Sequence, residues 1–153
     1  MVKVAIVGAG AMAREHVRAF AALPDVEVTG IHSRTPARAQ QLAAEFSIPH
    51  VSESVDALKS SSGADLVVVA VPELEANKVA KAAFSQDWNV LLEKPAGYDL
   101  ADAEDIAASA KQAGRQVFVG FNRRFYSSTL ETLADLEQRA ERRFIHIQDQ
   151  QSF

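Results

Sequence analysis

The sequence contains no cysteine. Disulfide scaffolds, thiolate nucleophiles and zinc–thiolate centres are therefore excluded. It also lacks any apolar run approaching the roughly 20 residues that span a bilayer. Positive charge is not in excess: 16 Lys and Arg stand against 20 Asp and Glu, leaving a net charge of −4. Such a balance offers no electrostatic surface for nucleic acid or for an anionic membrane, and neither is expected as a partner. The N-terminus, Met1-Val2-Lys3-Val4-Ala5-Ile6-Val7, enters a strand pattern at once. It shows no charged start, long apolar stretch and cleavage site of a secretory leader, so a cytoplasmic location is the expectation.

What the chain does have is regular alternation. Its 153 residues, 48% of them apolar, suit one domain with a real core. Val2–Val7, Val26–His32, Leu66–Val71, Asn89–Leu92 and Gln116–Val119 read as buried parallel strands. A weaker unit, His50–Ser62, reads as a short strand and a short helix, with Ser60–Gly63 as a turn. Between the strands lie helical patterns. Ala11–Leu23 carries Ala13, Val17, Phe20 and Ala21 on one face and stops at Pro24. Thr35 and Pro36 open a helix that buries Ala39, Leu42, Ala43 and Phe46. Glu73–Phe84 is a third. Asp99 caps a fourth on Leu100, Ala103, Ile106, Ala107 and Ala110, closed by Gly114. Ser128 and Glu131 have capping-box spacing ahead of Leu133, Leu136 and Ala140, with Leu130 on the same face. This pattern predicts an α/β fold, a doubly wound parallel sheet of strand order 3-2-1-4-5-6 with its ligand at the carboxyl ends of the strands.

The first strand runs into Gly8-Ala9-Gly10-Ala11-Met12-Ala13, which reads G-x-G-x-x-A. Small residues also make ordinary tight turns, but a strand before and a helix after give this loop the setting of a Rossmann dinucleotide-binding turn. Gly8 permits the turn, Gly10 clears the approach of a pyrophosphate, and Ala13 lets helix and strand pack closely. The N–H groups of Ala11 and Met12 and the positive end of the helix face the phosphates. NAD-binding domains place Asp or Glu about 20 residues further on, to hold the adenosine ribose. Here that position holds Ser33, followed by Arg34, with Arg38 one turn later. A hydroxyl and two guanidinium groups suit a 2′-phosphate, so the expected cofactor is NADP, with NAD possible.

Leu91-Leu92-Glu93-Lys94-Pro95 ends the fifth strand, and Gly120-Phe121-Asn122-Arg123-Arg124-Phe125 follows the sixth. With the glycine loop, His16 behind it, Ser33-Arg34 and Val71-Pro72 after the fourth strand, these segments resemble the Gfo/Idh/MocA oxidoreductases. That family includes glucose–fructose oxidoreductase and inositol dehydrogenase. The resemblance implies hydride transfer between the nicotinamide and a sugar, nucleotide sugar or polyol. It implies Lys94 as the catalytic residue, with a cis bond before Pro95. It further implies cofactor contacts from Ala70, Val71, Pro72, Glu93, Lys94, Asn122 and Arg123. Glu93 reads as an orienting group rather than a base, and His16 as a helix-surface or packing residue. The family often has Asn and His where this chain has Glu73 and Ala76, which weakens transfer of contacts from that loop.

The resemblance also implies a second domain holding the substrate pocket. The expected division is 1–125 for the dinucleotide-binding domain and 126–153 for a linking helix and the first strand of a substrate domain. Residues 142–150 partly alternate as a strand would. A lone strand needs pairing, so a second copy or a partner chain is expected there. Three functions stay open on the sequence: the cofactor domain of an oxidoreductase, a non-catalytic dinucleotide-binding subunit or sensor, and a structural or oligomerisation domain.

Overall fold

A computed structural model of the chain describes residues 1–138 together with Phe144 and His146. The chain divides into two compact units, Met1–Gly120 and Phe121–Phe153. The first unit is built on a six-stranded sheet of order β3-β2-β1-β4-β5-β6. Its strands are β1 (Val2–Val7), β2 (Val26–His32), β3 (His50–Ser52), β4 (Leu66–Val69), β5 (Asn89–Leu92) and β6 (Val117–Val119). Every neighbouring pair runs parallel. The helices between them are α1 (Ala11–Ala21), α2 (Pro36–Phe46), α3 (Val55–Ser62), α4 (Glu73–Phe84) and α5 (Leu100–Gln112).

Side chains alternate across a strand, and this divides the core in two. Val4 and Ile6 of β1 join Val68 of β4 on one face, under Ala13 and Val17 of α1 and Ala39, Leu42 and Ala43 of α2. Ala5 and Val7 join Val67 and Val69 on the other, with Leu58 of α3, Ala80 and Phe84 of α4, and Ile106 and Ala110 of α5. Because both faces are covered, β4 and the Val4–Val7 stretch of β1 are apolar throughout rather than alternating. Trp88 sits just before β5, 2% exposed, and its indole N–H donates to the Ala64 carbonyl at 2.9 Å. Between α4 and α5, the Asn77 amide donates to Asp102 and Asp105, and Lys81 pairs with Asp105. The Lys81 ammonium, and then the Asn77 amide, hold the Asp105 carboxyl below its usual range.

Several local expectations are corrected. Ser60, Ser61 and Ser62 form the last turn of α3 rather than a loop. Each hydroxyl bonds back to a carbonyl three or four residues earlier, so these polar side chains are satisfied within the helix itself. β4 stops at Val69, because the chain leaves the sheet toward α4 through Pro72. α1 ends at Ala21, whose side chain is exposed. Thr35 is the N-cap of α2 but makes no side-chain cap bond; its N–H instead donates to Ser33 Oγ at 3.2 Å. Asp99 does cap α5 through the Asp102 N–H. On that helix Ile106 and Ala110 are buried, while Leu100 and Ala107 are exposed.

The second unit begins with a 3-10 turn, Asn122–Phe125, and continues into α6 (Ser127–Glu137). Tyr126, not Ser128, is the N-cap, and the Ser128–Glu131 capping box does not form. Leu130 and Leu133 are each half exposed, and Leu136 is partly buried. Ala140 and the expected strand 142–150 lie outside the described residues, apart from Phe144 and His146, which are both exposed.

Candidate functional site

The carboxyl ends of β1, β2, β4 and β5 surround a cleft of about 420 Å³ within the first unit. Its floor is the loop from Gly8 to Met12. Gly8 has φ +124°, and a Cβ there would stand 2.1 Å from the Ala70 carbonyl oxygen. Only glycine allows β1 to turn this tightly against the end of β4. Gly8→Val is accordingly expected to lower stability by about 3 kcal/mol or more, combining backbone strain with overpacking. A shift in the urea midpoint of this chain measures it.

Gly10 differs. Its φ of −90° is open to any residue, and a Cβ would meet nothing within 4 Å. The space above it is clear, and α1 starts there with no side chain capping its free N–H groups. An anion fits that position: bare backbone donors, a positive helix end and no side chain in the way. The cleft therefore fits a dinucleotide pyrophosphate on its own geometry.

At the end of β2, Ser33, Arg34 and Arg38 line the same cleft. The Arg38 guanidinium has no side-chain partner among the described residues. Arg34 does have one: its Nη1 lies 2.7 Å from Glu75 Oε1. Across the cleft are Ala70, Val71 and Pro72, which lead from β4 into α4. Glu73 is exposed and Ala76 is buried at 3% in the core, so neither takes the place of the Asn and His common in the family.

At the reacting end, Glu93 and Lys94 close the cleft, and the Lys94–Pro95 bond is cis. Glu93 is held from two sides. Its Oε1 lies 2.7 Å from His16 Nε2, with side-chain exposures of 11% and 16%. Its Oε2 accepts the Lys94 N–H at 3.1 Å. His16 in turn stacks near Phe20. Gly120 leaves room for this carboxylate: a Cβ there would press within 3.3 Å of Glu93 Oε1. The Lys94 side chain is exposed, and its ammonium has no hydrogen-bond partner among the described residues.

The fold thus gathers Gly8, Gly10, Ala11, Met12, Ser33, Arg34, Arg38, Ala70, Val71, Pro72, Glu93 and Lys94 around one cleft. Asn122 and Arg123 belong to the second unit, in its 3-10 turn. The sequence reading missed Glu75, because its pairing with Arg34 joins residues from separate βα units. It also missed His16 as the partner of Glu93; the signal was a histidine one turn into a helix that begins at the glycine loop. Among the described residues, no cluster of His, Cys, Asp or Glu could hold a metal ion, and no helix is long and apolar enough to cross a membrane.

The chain is similar to known proteins. A family profile described as "Oxidoreductase family, NAD-binding Rossmann fold" matches residues 2–121. Inositol 2-dehydrogenase of Mycolicibacterium smegmatis is 33% identical over 140 residues, which cover 87% of this chain and 40% of that protein. Glucose-6-phosphate 3-dehydrogenase of Bacillus subtilis is 30% identical over 130 residues, covering 83% and 35%. Among solved structures, scyllo-inositol dehydrogenase from Lactobacillus casei with bound NAD(H) and scyllo-inositol superposes with a TM-score of 0.81 at 24% identity. It covers 90% of this chain and 41% of that one. The chain spans 35 to 40% of the length of these curated relatives. A profile that takes in the glycine loop, Ser33-Arg34 and Glu93-Lys94-Pro95 in a single match places the chain in the Gfo/Idh/MocA oxidoreductase family, as its NAD-binding Rossmann part.

Proposed function

We propose that this chain is the cofactor domain of an NADP-dependent oxidoreductase that moves a hydride between the nicotinamide and a CH–OH carbon of a sugar, nucleotide sugar or polyol. The observation that carries the reading is the cleft's composition. An open glycine and an uncapped helix end suit phosphates, and Ser33, Arg34 and Arg38 stand at the end of β2 where no carboxylate does. The dinucleotide, when bound, supplies the hydride donor or acceptor. The chain's own residues bind, orient and handle the proton. The α1 N-terminus holds the pyrophosphate, and Arg34 and Arg38 attract the 2′-phosphate. Glu93, fixed by His16, anchors the Lys94 backbone through the Lys94 N–H. The Lys94 ammonium is thereby offered to the reacting oxygen, where it steadies charge and helps move the proton. The substrate pocket belongs to a second domain that begins at about residue 126. The protein acts in the cytoplasm as a homo-oligomer or with a partner chain.

Calorimetric titration of this chain is the direct test. NADP is expected to bind more tightly than NAD. Arg34→Ala is expected to weaken NADP by about tenfold, the value of one charge-assisted contact, and to leave NAD unchanged. Equal affinities, or an Arg34→Ala variant that binds NADP as before, would overturn the assignment of Ser33-Arg34 to the 2′-phosphate.

A further inference from the structure

The guanidinium assigned above to a 2′-phosphate is already engaged. Glu75 reaches Arg34 at 2.7 Å from the first turn of α4, so a carboxylate stands at the adenosine end of the cleft even though none stands at the end of β2. Acidic residues favour a helix first turn, but Glu73 already supplies that interaction, and helix stability does not require Glu75 to turn toward Arg34. Around the pair, Arg38 lines the cleft, and His32 is occupied by the Ser52 carbonyl through Nδ1. We infer that Glu75 is a specificity-determining residue: it neutralises Arg34 from the opposite side of the cleft and so restrains the preference for NADP over NAD. This rests on the assignment of Arg34 to the 2′-phosphate.

The physical argument is a competition. An arriving 2′-phosphate must displace Glu75 from Arg34, or else sit beside a like charge. Either event weakens NADP. NAD carries a hydroxyl at the same place and escapes both costs, so Glu75 acts on the difference between the two ligands rather than on binding as a whole. Arg34 is 68% exposed and Glu75 31%, so water and salt screen the pair and the effect is several-fold.

The test is a double-mutant cycle on the 153-residue chain, with NADP and NAD titrated into wild type, Glu75→Gln, Arg34→Ala and the double variant. Glutamine keeps the size of the side chain and removes its charge. Glu75→Gln is expected to tighten NADP about three- to fivefold, to change NAD less than about twofold, and to lose most of its NADP gain when Arg34 is absent, the remainder being direct repulsion of the 2′-phosphate. High salt should shrink the gain. If Glu75→Gln leaves the NADP-to-NAD ratio unchanged while Arg34→Ala still weakens NADP, the inference fails and the NADP assignment stands. A Glu75→Gln variant that loses NAD affinity would make Glu75 a ribose acceptor, which also overturns the inference. If Arg34→Ala affects neither ligand, the NADP assignment fails and this inference falls with it.

Discussion

Replacing Gly10 with aspartate should leave this protein folded and weaken its dinucleotide binding on the order of a thousandfold, the loss of two charge-assisted backbone contacts. The asymmetry comes from the local backbone. Gly10 is the N-cap of α1, in an extended conformation open to any residue, with free space where its Cβ would stand. Aspartate is among the best N-cap residues, since its carboxylate accepts the first free N–H groups of the helix. Those are the groups a pyrophosphate would use. The substitution therefore gives the helix an intramolecular anion and repels the phosphates. Thermal unfolding should show a midpoint unchanged or slightly raised, while calorimetry shows no measurable NADP binding. Gly8, two residues earlier, should behave in the opposite way, failing as a fold first. A Gly10→Asp variant that binds NADP normally would mean that phosphates do not sit on this loop.

Lys94→Met is expected to lower hydride transfer by about 10²- to 10⁴-fold in the oxidoreductase proposed above, the range for a positioned proton-transfer group. Methionine keeps most of the aliphatic stem and removes the ammonium. The side chain is exposed and has no hydrogen-bond partner among the described residues, so the fold should lose little. The diagnostic is the split between two measurements. NADP affinity of the present chain should change by less than about twofold, while single-turnover hydride transfer collapses. A variant that transfers hydride normally would remove Lys94 from the reaction. One that loses NADP binding to the same extent would make it a binding residue only.

Much of this was readable from the sequence, and the successes and failures have physical causes. The strands of the sheet centre follow from continuous Val, Ile and Leu runs, because both faces of a parallel sheet must be apolar, and their order follows from the alternation of strand and helix. The glycine loop was legible because its two glycines meet different demands in a fixed order. The errors lie where neighbouring structure decides. Ser60–Ser62 has the composition of a turn, yet its hydroxyls find carbonyls of α3. Leu100 and Ala107 have helical periodicity, but which stripe of α5 meets the sheet is set by Ile106 and Ala110. Tyr126 rather than Ser128 opens α6 because a 3-10 turn runs into it. The site shows the same division. Gly10, Arg34 and Lys94 sit in local motifs. The pairings Arg34–Glu75 and His16–Glu93 join residues 41 and 77 positions apart in sequence, and no local pattern announces them.

The cleft floor is also tied down by backbone bonds that continue the sheet ladder past its last paired residues. The Gly8 N–H donates to the His32 carbonyl, Ala70 to Val7, Glu93 to Val69 and Gly120 to Leu92, all between 2.8 and 2.9 Å. Each of these four loops is stitched to its neighbour before any ligand arrives. Docking a cofactor therefore requires little ordering of the main chain, and encounter should proceed at the rate set by diffusion and orientation. Residence time, rather than speed of capture, is then the quantity through which side chains such as Arg34 and Glu75 exert their influence.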